Sequence, residues 1–160
     1  MNEFTFGPIG VLHSPYHEPS GTPIQGVFAP DVEGSAEIFE EFAAGLDDVK
    51  GFTHLYLIYA FDRSEGYRLK TRPFRDNTPR GVFATRAPKR PNAIGLSVVR
   101  LVACEGNVLR LTEVDFLDGT PLLDIKPYVP KFDARDGARA GWLERSEDRT
   151  IADARFLRED

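Results

Sequence analysis

The chain has 160 residues, 41% of them hydrophobic and 28% charged, with a formal net charge of −5. That balance suits one globular domain with a core and excludes a low-complexity or disordered chain. A single cysteine, Cys104, excludes an internal disulfide and a cysteine-built zinc site, and makes a reducing, cytoplasmic setting the expectation.

In chain order, Met1-Asn2-Glu3-Phe4 lacks the basic-then-apolar order of a secretion signal. Residues Phe4 to His13 read as a strand. Pro15, Pro19, Gly21 and Pro23 predict an irregular loop, and Gln25 to Ala29 a short second strand. Ser35 to Leu46 reads as the one clear helix. Ile38, Phe39, Phe42, Ala43 and Leu46 share a face there, Ser35 is placed to cap it, and Glu37, Glu40 and Glu41 form its solvated side.

Phe52 to Phe61 reads as a buried strand, interrupted by His54 and too short to span a bilayer. Arg63 to Arg80 reads as a long ordered loop and Gly81 to Arg86 as a short strand. Ile94 to Cys104 and Val108 to Phe116 form a predicted hairpin turned at 105–107, and Leu122 to Val129 a last strand. Short strands, one helix and no strand–helix–strand alternation imply a mainly-β, barrel-like domain over 1–133. The charged tail 134–160 carries Trp142, Leu143, Ile151, Phe156 and Leu157, which predicts packing on the domain or on a partner subunit.

Charge is unevenly spread. Between Arg63 and Arg100 stand ten Lys or Arg against Glu65 and Asp76, a local net of +8 that leaves −13 elsewhere. Such a segment either steers an anionic partner or is a solvated loop paired with acids of the fold. Two stretches can carry chemistry. Residues 81–97 place Pro88, Pro91, Asn92 and Gly95 among Arg86, Lys89 and Arg90. This is a shaped loop whose cations suit a carboxylate or phosphate, or else pair with nearby acids. Residues 115–130 crowd Asp115, Asp118 and Asp124 around an Asp-Gly-Thr-Pro turn, with Lys126 and Tyr128 alternating behind. These carboxylates suit a ribose hydroxyl or an ammonium, or serve the turn alone. His13, His17 and His54 lack metal-ligand spacing, and no metal is expected.

These stretches, with the opening Ile9-Gly10-Val11-Leu12-His13-Ser14-Pro15-Tyr16, resemble the TsaA-like (TrmO, YaeB-like) family. The shared patterns are Gly81-Val82-Phe83-Ala84-Thr85-Arg86, then Arg90-Pro91-Asn92-Ala93-Ile94-Gly95, then the run from Asp118-Gly119-Thr120-Pro121 to Lys126-Pro127-Tyr128. They occur in order over about residues 7 to 133, and Ala93 stands where the family usually has proline. The resemblance implies a single-sheeted, barrel-like TsaA/YaeB-like fold with one short helix, S-adenosyl-L-methionine as cofactor, and a homodimer. It implies methylation of the N6 nitrogen of threonylcarbamoyladenosine beside the tRNA anticodon.

Carried over by position, the cofactor contacts fall on Gln25, Asp62, Arg63, Arg86, Leu96, Asp115, Leu117, Asp118, Gly119, Thr120 and Pro121. Lys89, Arg90, Asn92 and Lys126 would meet substrate. Asp118 and Tyr128 are the candidate catalytic bases, unless the substrate's own carboxylate takes the proton. Long members of the family continue into a further domain, so a small-molecule or other RNA substrate, or a non-catalytic binding module, stays open.

Overall fold

The computed structural model describes residues 1–146 and 148–153. Among these residues eight strands form, β1 (Gly10–His13), β2 (Glu33–Ile38), β3 (His54–Ala60), β4 (Lys70–Thr71), β5 (Arg80–Gly81), β6 (Ile94–Glu105), β7 (Val108–Thr112) and β8 (Thr120–Pro127). Six of them close an antiparallel barrel in the order β1-β2-β7-β6-β3-β8, and β4 and β5 pair in a separate two-stranded ladder. Closure leaves no sheet edge in the barrel. The one α-helix among the described residues, α1 (Pro130–Asp133), is a single turn just after β8.

Period-2 alternation sets the interior. Leu55, Leu57 and Tyr59 of β3 face inward with Leu12, Ala36, Ile38, Val99, Leu109, Leu111 and Leu122, all buried. Truncating one of these leucines to alanine costs about 2–5 kcal/mol. Val114 and Phe116 complete the core from the loop after β7. Glu113, in the left-handed region at φ 63°, bends the chain into that loop. The β6–β7 hairpin turns where the sequence placed it, with Gly106 at φ 62°.

The predicted helix over Ser35 to Leu46 does not form. Residues 33–38 are strand β2, between β1 and β7, and residues 40–46 are a 3₁₀ helix. Two strands of the barrel need the backbone groups of this segment, and tertiary pairing overrides a helical period of this length. Gly34 fits only because it lacks a Cβ, which would press on His13 O and Val114. The side-chain amide of Asn107 ends the strand by donating to Ile38 O at 2.7 Å.

Three predicted strands also change. Only Gly10–His13 of the first one pairs, and Phe4 and Phe6 lie exposed. Residues Gly26–Phe28 and Val82–Ala84 are 3₁₀ turns instead of strands. Of the strand predicted over Gly81 to Arg86 only Gly81 pairs, opposite Lys70, and Val82 N donates to Leu69 O at 2.9 Å before the chain turns.

Candidate functional site

The loop from Asp115 to Pro121 is stapled to the chain after β1. Asp118 N donates to Tyr16 O at 2.7 Å, Gly119 N to Leu12 O at 2.8 Å, and Ser14 Oγ to Phe116 O at 2.5 Å. Gly119, at φ 81°, makes the turn, and Thr120 closes it by donating its hydroxyl to Leu117 O at 2.6 Å. The Ser-Pro-Tyr and Asp-Gly-Thr-Pro motifs are thus two halves of one local structure.

Around this turn the rim gathers distant residues. Arg63 donates to Asp118 O, and also to His17 O at 3.4 Å. Arg86 donates to Gln25 Oε1 at 2.5 Å. The next residue, Gly26, donates its N–H to Asp115 Oδ2 at 3.2 Å. Gln25, Arg63, Arg86, Asp115, Leu117, Asp118, Gly119, Thr120 and Pro121 therefore belong to one connected end of the barrel. Asp62 is exposed beside Arg63.

Asp115 and Asp118 have opposite electrostatics. Asp115 is partly buried, and burial pushes its carboxyl up to about 6 against the hydrogen bonds from Ser97 and Gly26. Ser97 donates its hydroxyl to Asp115 Oδ1, and Tyr59 Oη lies 2.9 Å from Ser97 Oγ. Burial, then the nearby Asp115 charge, raises the Tyr59 phenol well above its ordinary range. For Asp118, burial acts upward but is outweighed by the Ser14 N–H bond and the two histidines, so its carboxyl sits below the usual range. His13 Nδ1 lies 3.2 Å from Asp118 Oδ1 and its Nε2 3.3 Å from Glu37 Oε2.

Other predicted site residues lie elsewhere. Tyr128 follows β8 at the far end from Asp118 and packs edge-on against Tyr56, ring centroids 5.5 Å apart. The strand between them, Thr120–Pro127, spans roughly 26 Å at 3.3 Å per residue. Asp118 and Tyr128 of one chain therefore cannot face the same reacting atom. Lys126 pairs with Asp124 at 3.0 Å on that distant stretch. Arg90 turns back on its own loop, donating to Thr85 O at 2.9 Å and Ala87 O at 3.2 Å. Lys89 is half-buried and Asn92 exposed beside it. Leu96 lies on the outer face of β6 and is 48% exposed.

Sequence reasoning missed Tyr59, Ser97 and His13 as parts of the site. One signal was available: Gly95, Ser97 and Val99 share the inward face of β6, and a serine there requires a polar partner. Gly95 is small to admit Tyr59, since a Cβ would collide with that ring.

The model of the tRNA-methyltransferase O N-terminal domain matches residues 11–134. The chain belongs to the tRNA-methyltransferase O N-terminal domain family. It is 55% identical over 141 residues, 88% of this chain and 77% of the relative, to a probable S-adenosyl-L-methionine-binding protein of Pyrococcus abyssi. It is 36% identical over 154 residues to the tRNA (adenine(37)-N6)-methyltransferase of Escherichia coli, covering 90% of this chain and 66% of that protein.

A crystal structure of TrmO from Pseudomonas aeruginosa superposes with a TM-score of 0.76 at 38% identity, over 90% of this chain and 63% of the other. The chain thus spans less than two thirds of the crystallised relative. The matched span of the tRNA-methyltransferase O domain takes in all six barrel strands except the first residue of β1, together with the rim residues from Gln25 to Pro121.

Proposed function

We propose that this chain is an S-adenosyl-L-methionine-dependent methyltransferase that modifies the N6 nitrogen of an adenosine in tRNA, with threonylcarbamoyladenosine beside the anticodon as the substrate. The observation that carries this reading is the convergence of the 25–26, 63, 86 and 115–121 segments on one rim, through Arg86–Gln25, Gly26–Asp115 and Arg63–Asp118. The donor set suits the cofactor. A sulfonium and an ammonium find the carboxylates of Asp62 and Asp118, and a carboxylate finds the Arg86 guanidinium. Names of relatives in Pyrococcus and Escherichia point the same way.

Bound there, the cofactor supplies an electrophilic methyl group, whose bond to sulfur breaks as a bond to the adenosine nitrogen forms. The protein's task is chiefly orientation. Asp118, half-buried at the rim and fixed by Ser14 N and His13, serves as a cofactor-facing carboxylate. Its depressed pKa makes it a weak base. The substrate's own threonine carboxylate, carried on the reacting group itself, takes the proton leaving the nitrogen. Lys89 and Asn92 on the 88–92 loop lie on the substrate side, and the exposed Lys70, with Arg72, gives salt-dependent attraction to RNA.

The working form is a cytoplasmic homodimer. Ile94, Leu96 and Val98 leave an apolar stripe on the outside of β6, exposed by 45%, 48% and 39%, up to the exposed Arg100. Such a stripe fits a second copy and would enclose Leu96. Tyr128 and Lys126 reach a reaction centre only from that second copy.

One preparation tests the reading. Titration with S-adenosyl-L-methionine is expected to give micromolar affinity, weakened about tenfold by Arg86→Ala, one charge-assisted hydrogen bond's worth. Methyl transfer is expected to tRNA carrying threonylcarbamoyladenosine and not to tRNA lacking it, with the protein sedimenting as a dimer. Cofactor binding without transfer to any tRNA would move the assignment to a small-molecule substrate.

A further inference from the structure

The exposed Arg86–Gln25 bond holds two flexible side chains at the surface, and such a bond contributes little by itself. Their positions must come from their backbones. Both backbones are tied to the same C-terminal stretch. Ile24, just before Gln25, donates its N–H to Thr150 O at 2.8 Å. Ala152 N donates to Thr22 O at 2.7 Å and Gly21 N to Ala152 O at 3.0 Å, flanking a bridge between Pro23 and Ile151.

On the other side, Trp142 Nε1 donates to Ala84 O at 2.8 Å, two residues before Arg86. The Arg80 guanidinium lies 5.5 Å from the centroid of the Trp142 ring, held there by Asp76 Oδ2. Arg75 makes a third tie, 3.2 Å from Asp148 and 5.5 Å from the centre of the Phe28 ring in the 26–28 turn.

None of these C-terminal residues belongs to the barrel core. Ala152 is buried, but Leu143 and Ile151 are exposed, and among the described residues the core cluster includes none beyond Ile125. The ties named above are directed polar contacts at the rim, so cutting one of them is expected to leave the barrel standing.

We propose that the described residues 142–146 and 148–152 act as a strap that sets the mutual position of Gln25 and Arg86, with Trp142 and Ala152 as positioning residues for the cofactor site. The proposal rests on the cofactor reading above. Strapping both loops with one segment couples them. Release of the Trp142 end frees the Arg86 backbone directly and the Gln25 backbone through the Thr150 and Ala152 contacts of the same stretch.

The test uses the full chain with Trp142→Phe, Trp142→Ala and Ala152→Pro, which remove, in order, one N–H, the whole side chain, and the N–H given to Thr22. Amide exchange is read without ligand, and cofactor affinity by titration. Trp142→Ala and Ala152→Pro are each expected to weaken cofactor affinity about tenfold, and Trp142→Phe about threefold, in line with the loss of single hydrogen bonds. The melting temperature is expected to hold within about 3 °C. In Trp142→Ala, exchange is expected to quicken at 82–86 and also at 24–26, which are tied to Thr150 and Ala152 and not to the lost Trp142–Ala84 bond. In an Arg86→Ala background, Trp142→Ala is expected to cost less than about twofold, because the two act through one contact.

Unchanged affinity in Trp142→Ala, full additivity with Arg86→Ala, or exchange confined to 82–86 would each overturn the proposal. If the unmodified protein bound no cofactor, the cofactor reading would fall. The exchange pattern alone would then decide the strap, spreading to 24–26 if it holds and staying local if it does not.

Discussion

Asp115 and Asp118 stand three residues apart in one loop, yet the structure treats them as opposites. Asp115 turns inward behind the rim, where its partners are two hydroxyls in series and one backbone N–H. Tyr16, Tyr59 and Arg86 are the titratable groups close enough to share its field. Asp118 turns outward, meets a backbone N–H and two histidines, and keeps 36% of its side chain in solvent. Burial dominates the first carboxyl and raises it, while partners outweigh burial at the second and lower it. The lesson is that the residue type offers a carboxylate, and the neighbours choose whether it is a structural acid or a solvent-facing anion.

The largest expected effect tests whether the inward pocket depends on close backbone packing. Gly26 donates to Asp115, and a Cβ on it would overlap the Glu113 carbonyl. That obstacle is backbone and cannot rotate away. Gly26→Ala is expected to destabilise by about 3 kcal/mol, at the upper end for overpacking, measured by denaturant unfolding. A cost under about 1 kcal/mol would mean the 25–28 turn moves freely and does not hold Asp115.

The next effect sharpens the contrast through pH. Asp115 has its folded pKa raised from 3.8 to about 6. The folded state therefore binds more protons than the unfolded one in that window, and this group's contribution to stability falls as pH rises from about 4 to 6. Asp115→Asn removes the penalty while keeping an acceptor for Gly26 N–H and a polar contact for Ser97. It is expected to match the parent near pH 4 and to gain about 2 kcal/mol above pH 6. Melting curves across that range check it, and a gain at low pH with none at neutral pH would reverse the assignment.

Much of this was legible in sequence. The period-2 runs at 54–60, 94–105 and 108–112 announced strands because one face of each is sealed in the barrel. The motif residues Gln25, Arg63, Arg86 and Asp118 lie together on one rim, joined by the Arg86–Gln25, Gly26–Asp115 and Arg63–Asp118 bonds. The region 33–46 misled because Ile38, Phe39 and Phe42 mimic a helical face. In fact Ala36 and Ile38 are buried by a barrel whose other strands lie far away in sequence, and Phe39 and Phe42 stay exposed. The links Tyr59–Ser97–Asp115 and Trp142–Ala84 were invisible because each joins residues from separate segments through side chains that look ordinary in their own surroundings.

The smallest effect on stability bears most directly on the chemistry. Asp118 has its folded pKa lowered, so its contribution is present above the unfolded value of 3.8 and is lost as pH falls through the folded one. Asp118→Asn gives up that contribution at neutral pH, but the group is a third exposed and its partners are solvated. The loss is expected to stay below about 1 kcal/mol and to vanish once the pH falls below the lowered folded pKa. A base that removes the nucleophile's proton would cost 10²–10⁴-fold in turnover when deleted, at any cofactor concentration. A carboxylate that only faces the cofactor would raise KM for S-adenosyl-L-methionine and leave kcat within about threefold at saturation, having removed ground-state binding alone. The low pKa and the bonds from Ser14 and His13 favour the second pattern. A hundredfold fall in kcat with KM unchanged would make Asp118 the base after all, and would release the substrate's own carboxylate from that role.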